Sequence, residues 1–157
     1  MSNYCLLMRK DLRQPLVPTQ WPEGIELSHF KPTLLPRIHA LLRVGYAAGQ
    51  GQVEPLELWE QNGLHNAEFD PQLCFVCLLD GDVVGVALAW TSAYLKDLVV
   101  HPRIQGRGVG GALLNQVFSA FKQRGEACVD LKVMENNHPA RQLYRKHGMQ
   151  TVLREAV

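Results

Sequence analysis

One run of sequence, residues 100–114, constrains the fold more than any other part of the chain. It joins the end of an apolar strand to a basic, glycine-rich loop and then to the start of an amphipathic helix. The glycines leave main-chain N–H groups accessible, and a helix beginning near Val109 directs its free N–H groups and positive dipole end at the same point. Arg103 and Arg107 add full positive charges beside the loop. The run therefore predicts a binding site for an anionic phosphate group.

Two motifs in the second half of the chain resemble those of a known family. The first is Gln105-x-x-Gly108-x-Gly110, which follows an apolar strand and the tripeptide Val-His-Pro. The second contains, in order, Val133, Asn137, Ala140, Leu143, Tyr144, Gly148 and Met149. With the strand before the first motif, the match covers roughly residues 94–149 and is similar to the GNAT superfamily of N-acetyltransferases. The resemblance implies acetyl-coenzyme A (acetyl-CoA) as the cosubstrate, and the first half of the chain carries no comparable motif.

The resemblance also implies where the coenzyme binds. In the family's fold, the strands at residues 94–100 and 128–133 are parallel neighbours that splay apart and leave a wedge for the pantetheine arm. Main-chain groups of the first strand would bond that arm like an added strand, and one N–H there would polarise the thioester oxygen. The strand residues concerned are Leu98, Val99 and Val100. The pyrophosphate would be surrounded, mainly by N–H groups, by Gln105, Gly106, Arg107, Gly108, Val109, Gly110 and Gly111, with Arg103 as a further candidate.

Two side chains of the second motif have candidate roles. Asn137 matches a family asparagine that hydrogen-bonds the coenzyme arm, although an asparagine before Pro139 is also favoured as a helix cap. Tyr144 matches a tyrosine that in many members protonates the departing thiolate. A phenol with a pKa of about 10 is protonated at neutral pH and can donate to a basic sulfur. The alternative for Tyr144 is an aromatic side chain that packs a short helix onto the core.

The sequence indicates the general base less clearly than it indicates the coenzyme-binding residues. Some family members carry a glutamate at the strand position that is Lys132 here, and a lysine serves as a base only when its pKa is strongly lowered. Asp97, on the strand before the loop, is a candidate base, since an amine must lose its proton to attack the thioester. It could instead pair with Lys96 or Lys132 as a structural charge, and a relay of bound water is a further alternative. His101 resembles a turn residue.

Other interpretations of the glycines and cysteines have less support. Gly106-x-Gly108-x-x-Gly111 also satisfies a dinucleotide-binding pattern, but five residues separate it from the preceding strand, whereas that fold turns almost directly from strand to glycines. A purely structural glycine turn is another alternative. Cys74-x-x-Cys77 invites a metal or redox interpretation, but it lies in an apolar strand pattern, where residues three apart point to opposite faces. We therefore expect no metal site.

Periodicity and turn signals predict an α+β fold. Apolar spacing predicts helices at residues 34–46, 54–64, 109–123 and 139–147, and strands at residues 4–9, 25–30, 73–79, 83–91, 94–100, 128–133 and 149–153. Asp80-Gly81 predicts a hairpin, and Gly45, Gly49 and Gly51 are expected to interrupt the chain after the first helix. This order predicts a mixed, mostly antiparallel sheet flanked by helices, in agreement with the implied GNAT-like acyl-CoA N-acyltransferase fold. The family's usual final strand is either missing or supplied by another segment.

Length and apolar content indicate one domain. Residues 1–157 would form a single N-acetyltransferase domain, with N-terminal and acceptor-side elements in residues 1–71 and an acetyl-CoA-binding core in residues 72–157. Apolar runs are too short to span a membrane and no signal-peptide pattern begins the chain, so a cytoplasmic protein is expected. An edge strand left open by the short C-terminus would permit a homodimer.

Charge is divided unevenly along the chain. Residues 44–95 contain seven acids and no Lys or Arg, whereas residues 96–157 contain ten Lys or Arg and five acids. The basic half would attract the phosphates of the coenzyme, and the acidic half would either favour a cationic amine or form a solvated surface only. Without a basic stripe interleaved with aromatics, no nucleic-acid partner is expected. Acceptor choice would depend on residues 44–71, where the candidates are Tyr46, Trp59, His65 and Asp70.

Two functions of different classes are consistent with these features. The first is an acetyl-CoA-dependent N-acetyltransferase that transfers the acetyl group to a primary amine by direct attack in a ternary complex. No Gly-x-Ser-x-Gly elbow or clear cysteine-histidine pair supports a covalent intermediate. The second is a non-catalytic acyl-CoA-binding sensor of the same fold, for which Lys132 at the family's glutamate position is the only hint.

Overall fold

One mixed seven-stranded sheet organises the computed structural model, which describes residues 3–47 and 53–157. The strands are β1 (Tyr4–Asp11), β2 (Ile25–His29), β3 (Phe69–Leu79), β4 (Asp82–Trp90), β5 (Tyr94–Val100), β6 (Cys128–Met134) and β7 (Gln150–Ala156). Their order across the sheet is β2-β3-β4-β5-β6-β1-β7. The helices of the described residues are α1 (Leu35–Ala47), α2 (Leu56–Trp59), α3 (Val109–Gln123) and α4 (His138–Lys146). Only the β5-β6 pair of this sheet is parallel, so the predicted mixed α+β fold is confirmed.

Strands β3, β4 and β5 form a meander that leads into the glycine-rich loop, residues 101–108. The first turn of the meander is the predicted hairpin, where Asp80 and Gly81 have φ angles of 51° and 85°. Two consecutive positive φ angles give a turn whose twist matches that of the strands it joins. After β5 ends at Val100, the chain passes through the loop into α3, whose bounds match the predicted helix at residues 109–123.

Strand β1 supplies the strand that the sequence leaves unaccounted for. It lies inside the sheet between β6 and β7 and is antiparallel to both. Its Leu6 and Met8 are buried in the core. The N-terminal segment therefore completes the sheet beside the C-terminal strand, and β7 becomes an edge strand. Alternating apolar residues indicate that β1 is a strand, but they contain no information on which distant strands it pairs with.

The sheet separates two apolar cores. Helix α3 covers one face, together with partly buried residues of α4, through the positions that its spacing predicts: Val109, Leu113, Val117 and Phe121 are buried, and Ala120 is partly buried. Helices α1 and α2 cover the other face, with Ile38, Leu41, Leu42 and Trp59 buried there. No helix of the described residues is long and apolar enough to cross a membrane.

The two cysteines of β3 lie on opposite faces, as predicted. Cys77 belongs to the core beneath α3 and Cys74 to the core beneath α1. Burial raises the pKa of each thiol to about 12, which keeps both protonated. Within residues 3–47 and 53–157, no three His, Cys, Asp or Glu side chains come together in an arrangement that could hold a metal ion.

Some element boundaries differ from those predicted. Helix α2 has four residues and continues as a π-helical turn at Glu60–Leu64, where one helix over residues 54–64 was expected. Strand β3 starts at Phe69 and passes through Pro71, and its register with β4 shifts between Phe69 and Cys74. Such an irregularity accommodates a proline, which has no N–H for the ladder. The predicted interruption at Gly45 is wrong, since α1 continues through it to Ala47, and those at Gly49 and Gly51 lie outside the described residues.

Gly45 determines how closely α1 packs on β5. A Cβ at this position would overlap Val99 Cγ1, whereas one at Gly63 would meet nothing within 4 Å. We expect Gly45→Ala to be less stable than Gly63→Ala by about 1–3 kcal/mol, because overpacking opposes the helix propensity that alanine adds. Urea denaturation of both variants measures this difference. Equal free energies of unfolding would mean that Val99 moves aside at no cost.

Candidate active site

Strands β5 and β6 diverge from a single point of pairing. Tyr94 and Asp130 form the bridge between them, and Asp130 N donates to Ala93 O at 3.0 Å beside it. No other bridge joins these two strands in the described sheet, so their C-terminal ends separate. The splayed parallel strands implied by the family resemblance are thus confirmed. The gap between residues 95–100 of β5 and residues 131–134 of β6 is called the wedge below.

The main chain of β5 presents alternate residues to the wedge. His101 N donates to Val84 O on β4 at 2.8 Å, and alternate residues of an antiparallel ladder direct their main-chain groups to the same neighbour. Val99 is therefore directed to β4, whereas Leu98 and Val100 are directed to the wedge. Val100 O accepts a hydrogen bond from Gln105 Nε2 at 3.3 Å. The N–H and C=O groups of Leu98 remain directed at the open gap.

The loop after β5 has the backbone that its glycines predict. Gly106 and Gly108 have φ angles of 84° and 89°, in the left-handed region that favours glycine. Gly108 is the N-cap of α3 and no side chain caps the helix. The N–H groups of the first turn therefore point out of the helix end toward the exposed loop, with the positive end of the dipole. This arrangement suits an anionic group.

Gly110 and Gly111 have a packing role that the motif alone does not reveal. A Cβ at Gly110 would lie 3.4 Å from Leu143 Cδ2 and 3.6 Å from Val100 Cγ2. A Cβ at Gly111 would lie 2.5 Å from His147 Nε2. The missing side chains therefore let α4 approach the first turn of α3 and the end of β5. Their predicted contact with a pyrophosphate stays a prediction.

Both predicted arginines are exposed beside the loop. Arg103 lines a cleft of about 440 Å³ between α1 and the β3-β4 hairpin, together with Arg37 and Asp82. Its main-chain N–H donates to His101 Nδ1 at 3.1 Å, so His101 caps this turn, in agreement with its resemblance to a turn residue. Arg107 lies within the loop itself. Both guanidinium groups are accessible to an anionic ligand.

The turn between β6 and α4 contains buried polar atoms without partners. Asn137 Oδ1 accepts from Ala140 N at 3.4 Å, so this side chain caps α4, which is one of its two predicted roles. Beside it, Asn136 Oδ1 and Arg141 Nε are buried and have no hydrogen-bond partner in the described part of the chain. Each such group costs about 1–3 kcal/mol. One acceptor and one donor thus lie buried in the turn that follows β6, the second strand of the wedge.

Tyr144 is held by α4 against the core beneath α3. Burial raises the pKa of its phenol to about 12, so the hydroxyl is protonated throughout the neutral range. No hydrogen bond joins this hydroxyl to the described residues. Tyr144 and Tyr94 also contribute to the raised pKa of Tyr46, after burial and Asp97.

A buried carboxylate network lies on the α1 side of β5. Asp97 is 6% exposed. Its Oδ1 accepts from the Tyr46 hydroxyl at 2.5 Å, and its Oδ2 accepts from Lys96 Nζ at 3.0 Å. Burial, followed by the neighbouring Asp97 carboxylate, raises the pKa of the Tyr46 phenol well above its ordinary value. Of the two predicted ion-pair partners, Lys96 binds Asp97, whereas Lys132 Nζ lies 3.4 Å from Glu155 Oε1.

Among the four acceptor-side candidates, Tyr46 is the one that contacts Asp97. Trp59 is buried beneath α1, with its ring centroid 5.7 Å from that of His39. Asp70 Oδ2 forms an ion pair with Arg124, beyond the end of α3, at 2.8 Å. His65 is exposed after the π-helical turn. Sequence reasoning did not find Asn136 and Arg141, because a motif marks its matching positions and not their neighbours.

The fold and the wedge define a class of mixed α+β protein that can hold an extended ligand with an anionic end. A model of the acetyltransferase (GNAT) family matches residues 35–149, which is more than half of the 157 residues. The chain therefore belongs to the GNAT acetyltransferase family. The first and second motifs both lie within the matched segment, whereas β1 lies outside it.

Individual proteins that the chain resembles are also named as acetyltransferases. A solved GCN5-related N-acetyltransferase from Sphaerobacter thermophilus has a TM-score of 0.82 and 27% identity, and the match covers 98% of this chain and 50% of that one. An uncharacterized N-acetyltransferase of Methanocaldococcus jannaschii is 33% identical over 86 residues, covering 48% of this chain and 38% of the relative. Mycothiol acetyltransferase of Beutenbergia cavernae is 34% identical over 90 residues, covering 54% and 30%. This chain spans half or less of the length of these three relatives.

Proposed function

We propose that the protein transfers an acetyl group from acetyl-CoA to a primary amine by direct attack in a ternary complex. The observation that carries the proposal is the wedge between β5 and β6, which leads to a helix N-terminus without a side-chain cap. An extended ligand with an anionic end matches both parts. Membership of the GNAT family supports acyl-CoA as that ligand.

The coenzyme would be held mainly by main-chain groups. N–H groups of Gly106, Gly108 and the first turn of α3 would bind its pyrophosphate, with Arg103 and Arg107 beside it. Leu98 and Val100 would bond the pantetheine amides like an added strand. Asn136 Oδ1 and Arg141 Nε are covered by the protein, so they would gain ligand partners only if the turn after β6 shifts on binding. Bound in this way, the coenzyme supplies an activated acetyl thioester.

Three groups around the wedge would perform the proton transfers and stabilise charge. Asp97 would accept the proton that the acceptor ammonium must lose. The Leu98 N–H would polarise the thioester oxygen, where negative charge develops. Tyr144 would donate its phenolic proton to the departing thiolate. The base lies on the α1 side of β5, and the acid is held by α4.

A protonated amine is the form of acceptor that Asp97 would attract. The acids of the first half of the chain would add to this preference as a long-range field. A cytoplasmic location and a homodimer stay predictions of the sequence.

Thiol release tests the proposed function. Purified protein is mixed with acetyl-CoA and a panel of primary amines, and free coenzyme thiol is measured with time. We expect release that depends on both the protein and an amine. A protein that binds acetyl-CoA in calorimetry but releases no thiol with any amine would be the sensor instead. Absence of binding at millimolar acetyl-CoA would overturn both functions.

Gly108→Ala tests the phosphate loop. A left-handed φ costs a residue with a Cβ about 1–2 kcal/mol, so the loop should relax and move its N–H groups. We expect the dissociation constant for acetyl-CoA to rise about tenfold or more, equivalent to about 1.4 kcal/mol of binding free energy. Calorimetry measures the change.

Gly125→Ala is the matched control for Gly108→Ala. Gly125 lies beyond the other end of α3 with a φ of 84°, and an added Cβ there meets nothing within 4 Å. Both variants should lose similar folding stability, and only Gly108→Ala should lose coenzyme affinity. Equal affinities in the two variants would remove the loop from the coenzyme site.

A further inference from the structure

The side chain of Lys96 lies against Asp97 and Trp90. Lys96 lies at an irregularity in the β4-β5 ladder, since Leu88 pairs with Asp97 and the next residue, Ala89, pairs with Leu95. Lys96 is therefore the extra residue of a bulge, and bulges redirect side chains. Its side chain is only 32% exposed.

The ammonium of Lys96 is held by the chemistry that recognises a primary amine. Its Nζ donates to Asp97 Oδ2 at 3.0 Å and lies 5.8 Å from the centroid of the Trp90 ring. A carboxylate and an aromatic face are the two groups that proteins use most directly to bind an ammonium ion. Asp97 is also the group that the proposed function assigns to the acceptor amine. Lys96 Nζ thus occupies the position expected for that amine.

Lys96 is also close to the proposed acetyl donor. It precedes Leu98 by two residues on the strand along which the thioester would lie. We propose that Lys96 is an acetylation site of the protein itself, with its ε-amine in the place of the acceptor amine and acetyl-CoA in the wedge as the donor. This inference rests on the proposed function.

The reaction balances with groups already at the site. Asp97 takes one proton from the Lys96 ammonium, and the nitrogen lone pair forms a bond to the thioester carbonyl carbon. The carbon–sulfur bond then breaks, the thiolate takes a proton from Tyr144, and the second proton that leaves the nitrogen restores the Tyr144 phenol. The products are an Nε-acetyl-lysine and free coenzyme thiol. Acetylation removes the charge of Lys96 and its ion pair with Asp97, which frees Asp97 Oδ2 for an external amine.

Lys132 provides an internal control in the same molecule. It lies on β6, the other strand of the wedge, and forms an ion pair with Glu155 Oε1 at 3.4 Å. Its side chain is 49% exposed, compared with 32% for Lys96. Non-enzymatic acetylation of surface amines should therefore favour Lys132, whereas transfer within the site should favour Lys96.

The experiment is incubation of the purified protein with acetyl-CoA and no added amine, with peptide mapping by mass spectrometry before and after. We expect the mass of one acetyl group to be added at Lys96, at least about tenfold faster than at Lys132, because proximity accelerates an intramolecular transfer. Tyr144→Phe should slow the modification of Lys96 without changing that of Lys132. Lys96→Arg retains a cation for Asp97 and should abolish the fast modification.

Two outcomes overturn the proposal. One is an unmodified Lys96 after incubation, and the other is equal modification of Lys96 and Lys132. Thiol release with external amines separates these outcomes from failure of the proposed function. If amines are acetylated while Lys96 is not, only the self-acetylation is wrong. If neither amines nor Lys96 are acetylated, the proposed function fails too.

Discussion

Tyr144→Phe is expected to lower turnover about 10²-fold, within the usual range for a group that transfers a proton. The substitution removes only the hydroxyl, so the ring continues to pack α4 on the core. Coenzyme affinity should change little, because the hydroxyl would act on a thiolate that forms only as the bond breaks. Steady-state thiol release gives turnover, and calorimetry with acetyl-CoA gives affinity.

Tyr94→Phe is the matched control for Tyr144→Phe. Tyr94 lies at the closed end of the wedge, where β5 and β6 are still bridged. Its hydroxyl lies beside the main-chain N–H of Lys132 on β6, so it is already engaged with that strand, and removing it should leave turnover within about twofold. If both variants have the same turnover as the protein without either substitution, Tyr144 serves only as a packing residue.

The raised pKa of Tyr144 adds a prediction about pH. An acid catalyst must be protonated, and burial moves the pKa of this phenol from its ordinary value of 10 to about 12. The acid form therefore persists as pH rises through 10, and Tyr144 should cause no alkaline loss of turnover below about pH 11. An alkaline limb near pH 9 that disappears in Tyr144→Phe would contradict this assignment.

Most helices and strands could be predicted from the sequence, because the signals that indicate them lie within each segment. The bounds of α3 follow from apolar spacing and flanking glycines, and the β3-β4 hairpin follows from Asp80-Gly81, whose two residues adopt positive φ angles. The location of β1 between β6 and β7 could not be predicted in this way. Its pairing depends on contacts between residues more than a hundred positions apart, as between Arg9 and Asp130.

The same distinction between local and long-range signals applies to the residues of the candidate site. Motif positions such as Gly108 and Tyr144 were named from the sequence, since their spacing along one segment is fixed. Tyr46 was only one of four acceptor-side candidates, because its bond to Asp97 joins α1 to β5 across fifty-one positions. Asn136 and Arg141 carry no sequence signal. Their significance lies in unpaired buried atoms, which only a three-dimensional arrangement reveals.

Asp97→Asn is the second prediction with a large expected effect. Asparagine has nearly the same shape and its Oδ1 still accepts from the Tyr46 hydroxyl, but it cannot take a proton. We expect turnover at pH 7 to fall about 10²-fold, as for the loss of a general base. Coenzyme affinity should be retained, since Asp97 faces α1 and not the phosphate loop.

The loss of turnover caused by Asp97→Asn should become smaller as the pH rises. An alkyl amine has an ordinary pKa of about 10.4, so near pH 10 a large fraction of the acceptor is already deprotonated and needs no base. The ratio between the turnover of the protein with Asp97 and that of the Asp97→Asn variant should therefore decrease from pH 7 to pH 10. A constant ratio would indicate that Asp97 positions the amine without taking its proton.

Asp70→Asn distinguishes loss of a base from loss of any ion-paired acid. Asp70 Oδ2 lies 2.8 Å from Arg124 Nη2, and this pair lowers the pKa of the Asp70 carboxyl. Since the pair lies beyond the end of α3, removing its charge should leave turnover unchanged. Full turnover in Asp97→Asn as well would assign the proton to a relay of bound water. The buried carboxylate would then serve to hold α1, through Tyr46, against the strand that lines the wedge.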